Sequence, residues 1–220
     1  GKITPDMILD SIADLMIDLY TDFASPLTHE ILYKWHRMLM NGRNDIEDIG
    51  TYRNTIEPMR VVSGPWHDPE VHFEAPPSHQ VKAEMDSFIN WFNDTAPNGN
   101  NPLSALTRAS IAHLYFESIH PFEDGNGRIG RAIAEKALAQ SLKQPTLASI
   151  STTITQNKTA YYNALENSNK GNEITSWLLY FSSVILEAIK HTKDYVEFLI
   201  RKGQLFDLLR GNINSRQEKC

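Results

Sequence analysis

The segment His120–Arg131, His-Pro-Phe-Glu-Asp-Gly-Asn-Gly-Arg-Ile-Gly-Arg, collects more chemistry than any other stretch of the chain. The imidazole of His120, with an ordinary pKa of about 6.5, can act as a general base near neutrality. Asp124 offers a hard oxygen ligand of the kind Mg²⁺ takes when it is shared with phosphates. Gly125, Asn126 and Gly127 open backbone conformations that let successive N–H groups converge on one anion. The helix expected to follow adds unpaired first-turn donors and the positive end of its dipole. Arg128 and Arg131 lie three residues apart, on one face of that helix start. Cations there oppose the dipole, so an anionic ligand is expected to compensate them. Phe122 reads as a core anchor that fixes the loop. The set specifies a triphosphate, Mg²⁺ and a base.

The elements that must position this loop are mostly helices. Met7, Ile8, Ile12, Leu15, Met16 and Leu19 repeat at helical spacing over residues 5–22, and Thr28 is a plausible N-cap for a helix ended by Asn41-Gly42. Met59–Val62 and Val71–Phe73 flank the turn-rich Ser63–Pro69, which predicts a short β-hairpin. Pro76-Pro77 delays the next helix until Ser78, and its apolar set runs from Val81 to Phe92. A helix over Leu103–Ile119 leads straight into the loop, and one over Arg128–Leu142 leaves it. Further helices are expected near 157–168, from about Ile174 to Lys202, and briefly after Gly203. The fold class is mainly α, with one hairpin.

Composition narrows the function classes. At 220 residues one domain is expected, over 1–211, with 212–220 as the start of a further segment. A net charge of −6 argues against nucleic acid or an anionic membrane as the main partner. The single cysteine, Cys220, leaves no internal disulfide or cysteine-based metal site, which fits a cytoplasmic protein. No apolar run has the length of a membrane span. Other phosphate motifs, such as Gly-x-x-x-x-Gly-Lys-Ser/Thr, are missing. Gly1 is not an initiator methionine and the last residues are polar, so a trimmed piece of a longer protein is expected.

With these residues in view, His120–Arg131 resembles the signature of the Fic family, His-x-Phe-x-Asp/Glu-Gly-Asn-Gly-Arg-x-x-Arg, at every fixed position. Gly50-x-Tyr-Arg53 and the hairpin resemble the family's target-docking flap, Ala75-Pro-Pro77 its exit, and Tyr161-Tyr162-x-x-Leu165 with Gly171 the segment closing over the base. The likeness covers about residues 28–190. It implies a Fic fold, an α-helical bundle with one β-hairpin flap beside the active-site loop. It also implies a protein adenylyltransferase, which moves AMP from ATP to a Ser, Thr or Tyr hydroxyl and releases pyrophosphate. By position, His120 would be the base, Asp124 would bind Mg²⁺, and Gly125, Asn126, Gly127, Arg128 and Arg131 would hold the phosphates. Tyr162 and Asn169 would line the adenine pocket.

An exposed hairpin edge at Met59, Arg60, Val61 and Val62 would let a target segment add as an extra strand. The resemblance further implies an inhibitory helix whose glutamate pairs with the second motif arginine. Ser183-x-x-x-Glu187 is the nearest match, but Ala188 follows it in an apolar helix, so it reads as coincidence. The inhibitory helix would come from a segment before Gly1 or from a separate antitoxin. Transfer of UMP, phosphocholine or phosphate, or removal of AMP, would use the same scaffold. A nucleotide-binding regulator without turnover is the alternative of another class.

Overall fold

A reversal of the chain at His120 sets the layout. In the computed structural model, which describes residues 5–63 and 70–209, α4 (Ala105–Ile119) ends on His120 in the left-handed conformation, φ 49° and ψ 59°. The loop then turns back into α5 (Asn126–Leu142), capped by Gly125 with φ 84°. The two helices pack along one another as the centre of the molecule. Most residues of α5 are buried, including Ile129, Gly130, Ala132, Ile133, Ala134, Ala137 and Leu138. This small-residue composition lets its neighbours approach closely and explains why the helix has no clear polar face.

Around this pair stand α1 (Pro5–Thr21), α2 (His29–Leu39), α3 (Ser78–Asp94), α6 (Ile150–Gln156), α7 (Lys158–Ser168) and α8 (Thr175–Leu209). Thr28 caps α2 by accepting from the Ile31 N–H at 3.3 Å. The aromatic side of the core joins α4 to α8. His113 stacks on Phe181, Trp177 stacks on Phe181 at 4.9 Å, and the Trp177 indole donates to the Ser110 carbonyl at 2.8 Å. Arg108 is fully buried, yet its donors reach the carbonyls of Phe92 and Ala137 and the Gln140 amide oxygen. A buried cation is tolerable where its donors find acceptors in this way.

The hairpin forms as expected. β1 (Arg60–Ser63) pairs antiparallel with β2 (Glu70–Glu74), with Arg60 opposite Glu74 and a bulge between Val61 and Val62. The two strands make a two-stranded sheet, and each has an unpaired edge among the described residues. The expected turn over 64–69 and the extension 212–220 lie outside the described residues.

Two expectations need correction. The helix α6, Ile-Ser-Thr-Thr-Ile-Thr-Gln, was not anticipated, because β-branched and hydroxyl residues carry weak helix propensity and only Ile150, Thr153 and Ile154 face inward. The expected break at Gly203 does not occur, and α8 runs unbroken through it to Leu209. An exposed glycine costs a helix only about 1 kcal/mol, which neighbouring Leu, Phe and Lys residues offset. Among the described residues no helix is long and apolar enough to cross a membrane.

Trp177→Ala should destabilise the fold by about 3–5 kcal/mol, the usual cost of removing a buried large aromatic. Urea unfolding measures it, and a loss under about 1 kcal/mol would mean that the α4–α8 seam repacks freely.

Candidate active site

The His120–Arg131 loop forms the floor of a cleft of about 440 Å³, within the usual range for small-molecule sites. Met59, Arg60 and Phe73 of the hairpin form one wall. Tyr161, Tyr162, Leu165, Glu166 and Asn169 of α7 and its cap form the opposite one. His120, Asp124, Gly125, Asn126, Gly127, Arg128 and Arg131 all face the space between, joined by Glu117 and Glu123.

The loop is held from beneath by side chains. Asn126 is buried, and its amide oxygen accepts from the Phe122 N–H at 2.9 Å while its nitrogen donates to the Phe122 carbonyl at 2.8 Å. Its side chain thus closes the loop on itself, which leaves its backbone N–H for the anion site. Phe122 is buried as expected and stacks on His36 with ring centres 4.2 Å apart. His36 accepts from the Gly50 N–H at Nδ1 and donates from Nε2 to the Asp124 carbonyl at 3.1 Å. Burial pushes its pKa down to about 4, so it is neutral and structural.

Arg53 is the strongest tie. Its Nε donates to the His120 carbonyl at 2.8 Å, and its other nitrogens reach the Pro76 carbonyl, the Ile119 carbonyl and the Ser78 hydroxyl. Its backbone N–H donates to the Pro121 carbonyl at 2.9 Å. One buried guanidinium therefore joins the end of α4, the start of the loop and the exit of the hairpin.

At the floor, α5 begins at Asn126, two residues earlier than its apolar pattern indicated. Gly125 makes no side-chain cap, and the first intrahelical donor is Ile129, bonding to the Gly125 carbonyl. The first-turn N–H groups therefore remain for a ligand. Desolvation works against ionisation of Asp124, but the Gly125 N–H and the Arg128 and Arg43 guanidiniums outweigh it and hold its pKa below the usual carboxylate range. Arg43, unremarked in the sequence, pairs with Asp124 at 2.8 Å and also with Asp45. Among the described residues no group of three or more His, Cys, Asp or Glu could hold a metal. Asp124 alone, ionised and partly exposed, fits a Mg²⁺ that takes its remaining ligands from phosphates and water.

Arg131 points across the cleft floor, and its Nε donates to Ser151 at 2.8 Å, so the unanticipated α6 orients a motif arginine. His120 is largely buried, and desolvation pushes its pKa down to about 4, leaving it neutral at ordinary pH. At the far end Tyr162 is 54% exposed over the cleft, and the lining residue Asn169 accepts from the Ser118 hydroxyl at 3.2 Å. Of the hairpin residues Met59 and Arg60 line the cleft, while the side chains of Val61 and Val62 lie outside the described residues. Gly171 and Glu187 are not among the lining residues.

Residues 26–138, about half the chain, match the Fic/DOC family. The chain belongs to the Fic/DOC family. It is 25% identical over 125 residues to a uridine 5'-monophosphate transferase of Xanthomonas campestris, covering 56% of this chain and 23% of that protein. It is 32% identical over 69 residues to a probable protein adenylyltransferase of Aquifex aeolicus, covering 31% of this chain and 20% of that one. The chain thus spans less than a quarter of the length of either relative. The fold is shared with a Fic family protein of Desulfovibrio desulfuricans, at TM-score 0.70 and 24% identity, over 88% of this chain and 55% of that one.

What sequence reasoning missed in this Fic-family site is the support: Arg43, Glu117, Ser151 and the clamp made by Arg53. The likeness to the flap pointed to Arg53, but nothing in its type or spacing showed where it would reach. Arg53→Lys should cost about 2–4 kcal/mol of stability, since two or more buried acceptors lose their donor at roughly 1–3 kcal/mol each. Chemical unfolding tests this, and a cost below about 1 kcal/mol would show that the clamp is dispensable.

Proposed function

We propose that the chain transfers AMP from ATP to a hydroxyl of a target protein, with release of pyrophosphate. The observation that carries this reading is the convergence on one cleft of a neutral histidine, an ionised aspartate, an open helix N-terminus and two arginines. The named adenylyltransferase among the relatives supports it. His120 takes the proton of the attacking hydroxyl, whose oxygen forms a bond to the α-phosphorus as the bond to the β-phosphate oxygen breaks. The first turn of α5 and Arg128 hold the phosphates, and Arg131 takes the γ end. Mg²⁺ held by Asp124 would supply neutralisation of phosphate charge. Position and charge neutralisation account for most of the rate in phosphoryl-type transfers.

Tyr162 and Asn169 line the end of the cleft where a base would lie, and the free edge of the hairpin offers backbone groups to an extended target segment. A regulatory carboxylate from another segment or a separate protein would compete with the γ-phosphate for Arg131. Transfer of UMP is the second reading, favoured by the name of the Xanthomonas relative.

Incubation with labelled ATP and Mg²⁺ should label the chain or proteins of a lysate, and His120→Ala should lower that labelling by 10²-fold or more, the lower range of general-base contributions. Labelling by His120→Ala at the wild-type rate would remove the base assignment. Stronger transfer from UTP than from ATP would favour the second reading.

A further inference from the structure

Three residues before His120, on the last turn of α4, the sequence places Glu117, a carboxyl that the proposed reaction does not use. Its side chain is 11% exposed, lines the cleft, and brings Oε2 to 3.8 Å from His120 Nδ1. That is beyond hydrogen-bond distance. Glu117 Oε1, His113 Nδ1 and His120 Nδ1 are buried without a side-chain partner, Oε1 lying on the Gly130 and His113 side, while the Glu117 backbone carbonyl is the polar group bearing on the His120 ring. Unsatisfied polar atoms on both members of a carboxyl–imidazole pair at the edge of a site are unusual, because buried polar groups are nearly always bonded. Space for the carboxyl comes from Gly130 on α5, where an added Cβ would lie 2.7 Å from Glu117 Oε1 and 3.0 Å from His113 Nδ1. Arg131, the nearest cation, has its Nε committed to Ser151.

We propose that Glu117 is a positioning residue for His120: its carboxylate closes onto Nδ1–H, keeps Nε2 directed at the target hydroxyl, and offsets the imidazolium formed during transfer. The inference rests on the reading of His120 as the base. Its logic is that of a carboxylate that fixes the tautomer of a neighbouring histidine without itself taking the proton. The hydroxyl proton goes to Nε2, the oxygen binds the α-phosphorus, and pyrophosphate leaves with the electron pair of the broken bond. Nδ1 keeps its proton throughout. The buried ring nitrogen is Nδ1, which leaves Nε2 on the cleft side.

The charges around the pair are few. Glu117 is faced by His113 and His120 at the two ends of its own helix turn, by Arg131 of α5 and by Tyr161 of α7. His120 is influenced by the Glu117 backbone carbonyl, then by Arg53 and Asp124. Burial pushes the Glu117 carboxyl up to about 7, with Arg131 opposing, and pushes His120 down to about 4. Below about pH 7 the pair therefore takes up one proton and loses the arrangement the reaction needs. Without the carboxylate only the lower titration of His120 remains, so the acid limb of the rate profile moves to lower pH.

The test is Glu117→Gln, compared with wild type and His120→Ala in ATP-dependent transfer across pH. Glu117→Gln should lower kcat about 10- to 100-fold with KM for ATP within about 2-fold, and should shift the acid limb downward, as a fraction of the general-base effect. Wild-type kcat and an unmoved limb in Glu117→Gln, with His120→Ala inactive, would overturn the role of Glu117 alone. An active His120→Ala would instead overturn the reading beneath it. Nitrogen NMR of histidine in the wild-type protein gives a readout that needs no variant. The His120 ring should carry its proton on Nδ1, and a proton on Nε2 at pH 8 would overturn the proposal.

Discussion

The buried Arg53 guanidinium is the interaction on which the rest of the site depends. Three parts of the chain meet at it: the last carbonyl of α4, the backbone of the His120–Pro121 turn, and the exit of the hairpin at Pro76 and Ser78. Each presents groups that its own secondary structure cannot satisfy, since the last turn of a helix and the bend after a strand both leave carbonyls free. A rigid fork of donors answers them together, which a single ammonium cannot do. Burial lowers the pKa of Arg53 without discharging it, because the ordinary value is so high. The wall that would receive a target and the loop that would activate it are thereby fixed to each other.

Above this tie the loop is built with unusual economy of side chains. Asn126 closes it, Phe122 pins it to His36, and left-handed backbone at His120 and Gly125 reverses the chain at both ends. The positive φ of Gly125 is what calls for glycine, while the Met40 methyl 2.6 Å from an added Cβ is the end of a flexible side chain that could shift. For His120 the left-handed conformation is a strain that a non-glycine residue accepts rarely and mostly at functional positions. Neutral histidines at 36, 113 and 120 add to the cost of acidification, since each must gain a charge in a desolvated place. Their folded pKa values lie below 6.5, so the unfolded chain binds more protons and this contribution to stability is lost as pH falls through that range. The raised carboxyls of Glu117 and Glu135, both about 7, work in the opposite sense between pH 7 and 4.5.

Much of this was legible in the sequence, for identifiable reasons. The motif residues lie on a continuous stretch, so their proximity needed no tertiary inference, and the helices on either side have long apolar patterns that only one period fits. The hairpin was marked by β-branched runs around a turn. What escaped depends on contacts made across the fold. Nothing local distinguishes Arg53, Arg43 or Glu117 from surface charges. Helix α6 has a weak intrinsic preference and forms because Ile150 and Ile154 find the core and Ser151 finds Arg131. Gly203 looked like a stop, but a glycine without a following proline or a capping motif does not end a helix.

In the proposed reaction the cleft delivers the α-phosphoryl group and discards the rest of the triphosphate. The most direct measurement uses two preparations of ATP, labelled at the α or at the γ position, with the same lysate and Mg²⁺. Label from the α position should become bound to protein in a His120-dependent way, with the added mass of an adenylyl group, while the His120-dependent γ label should appear in pyrophosphate and not on protein. Protein-bound γ label that depends on His120, judged against the same lysate with His120→Ala, or no His120-dependent label from either position, would contradict this.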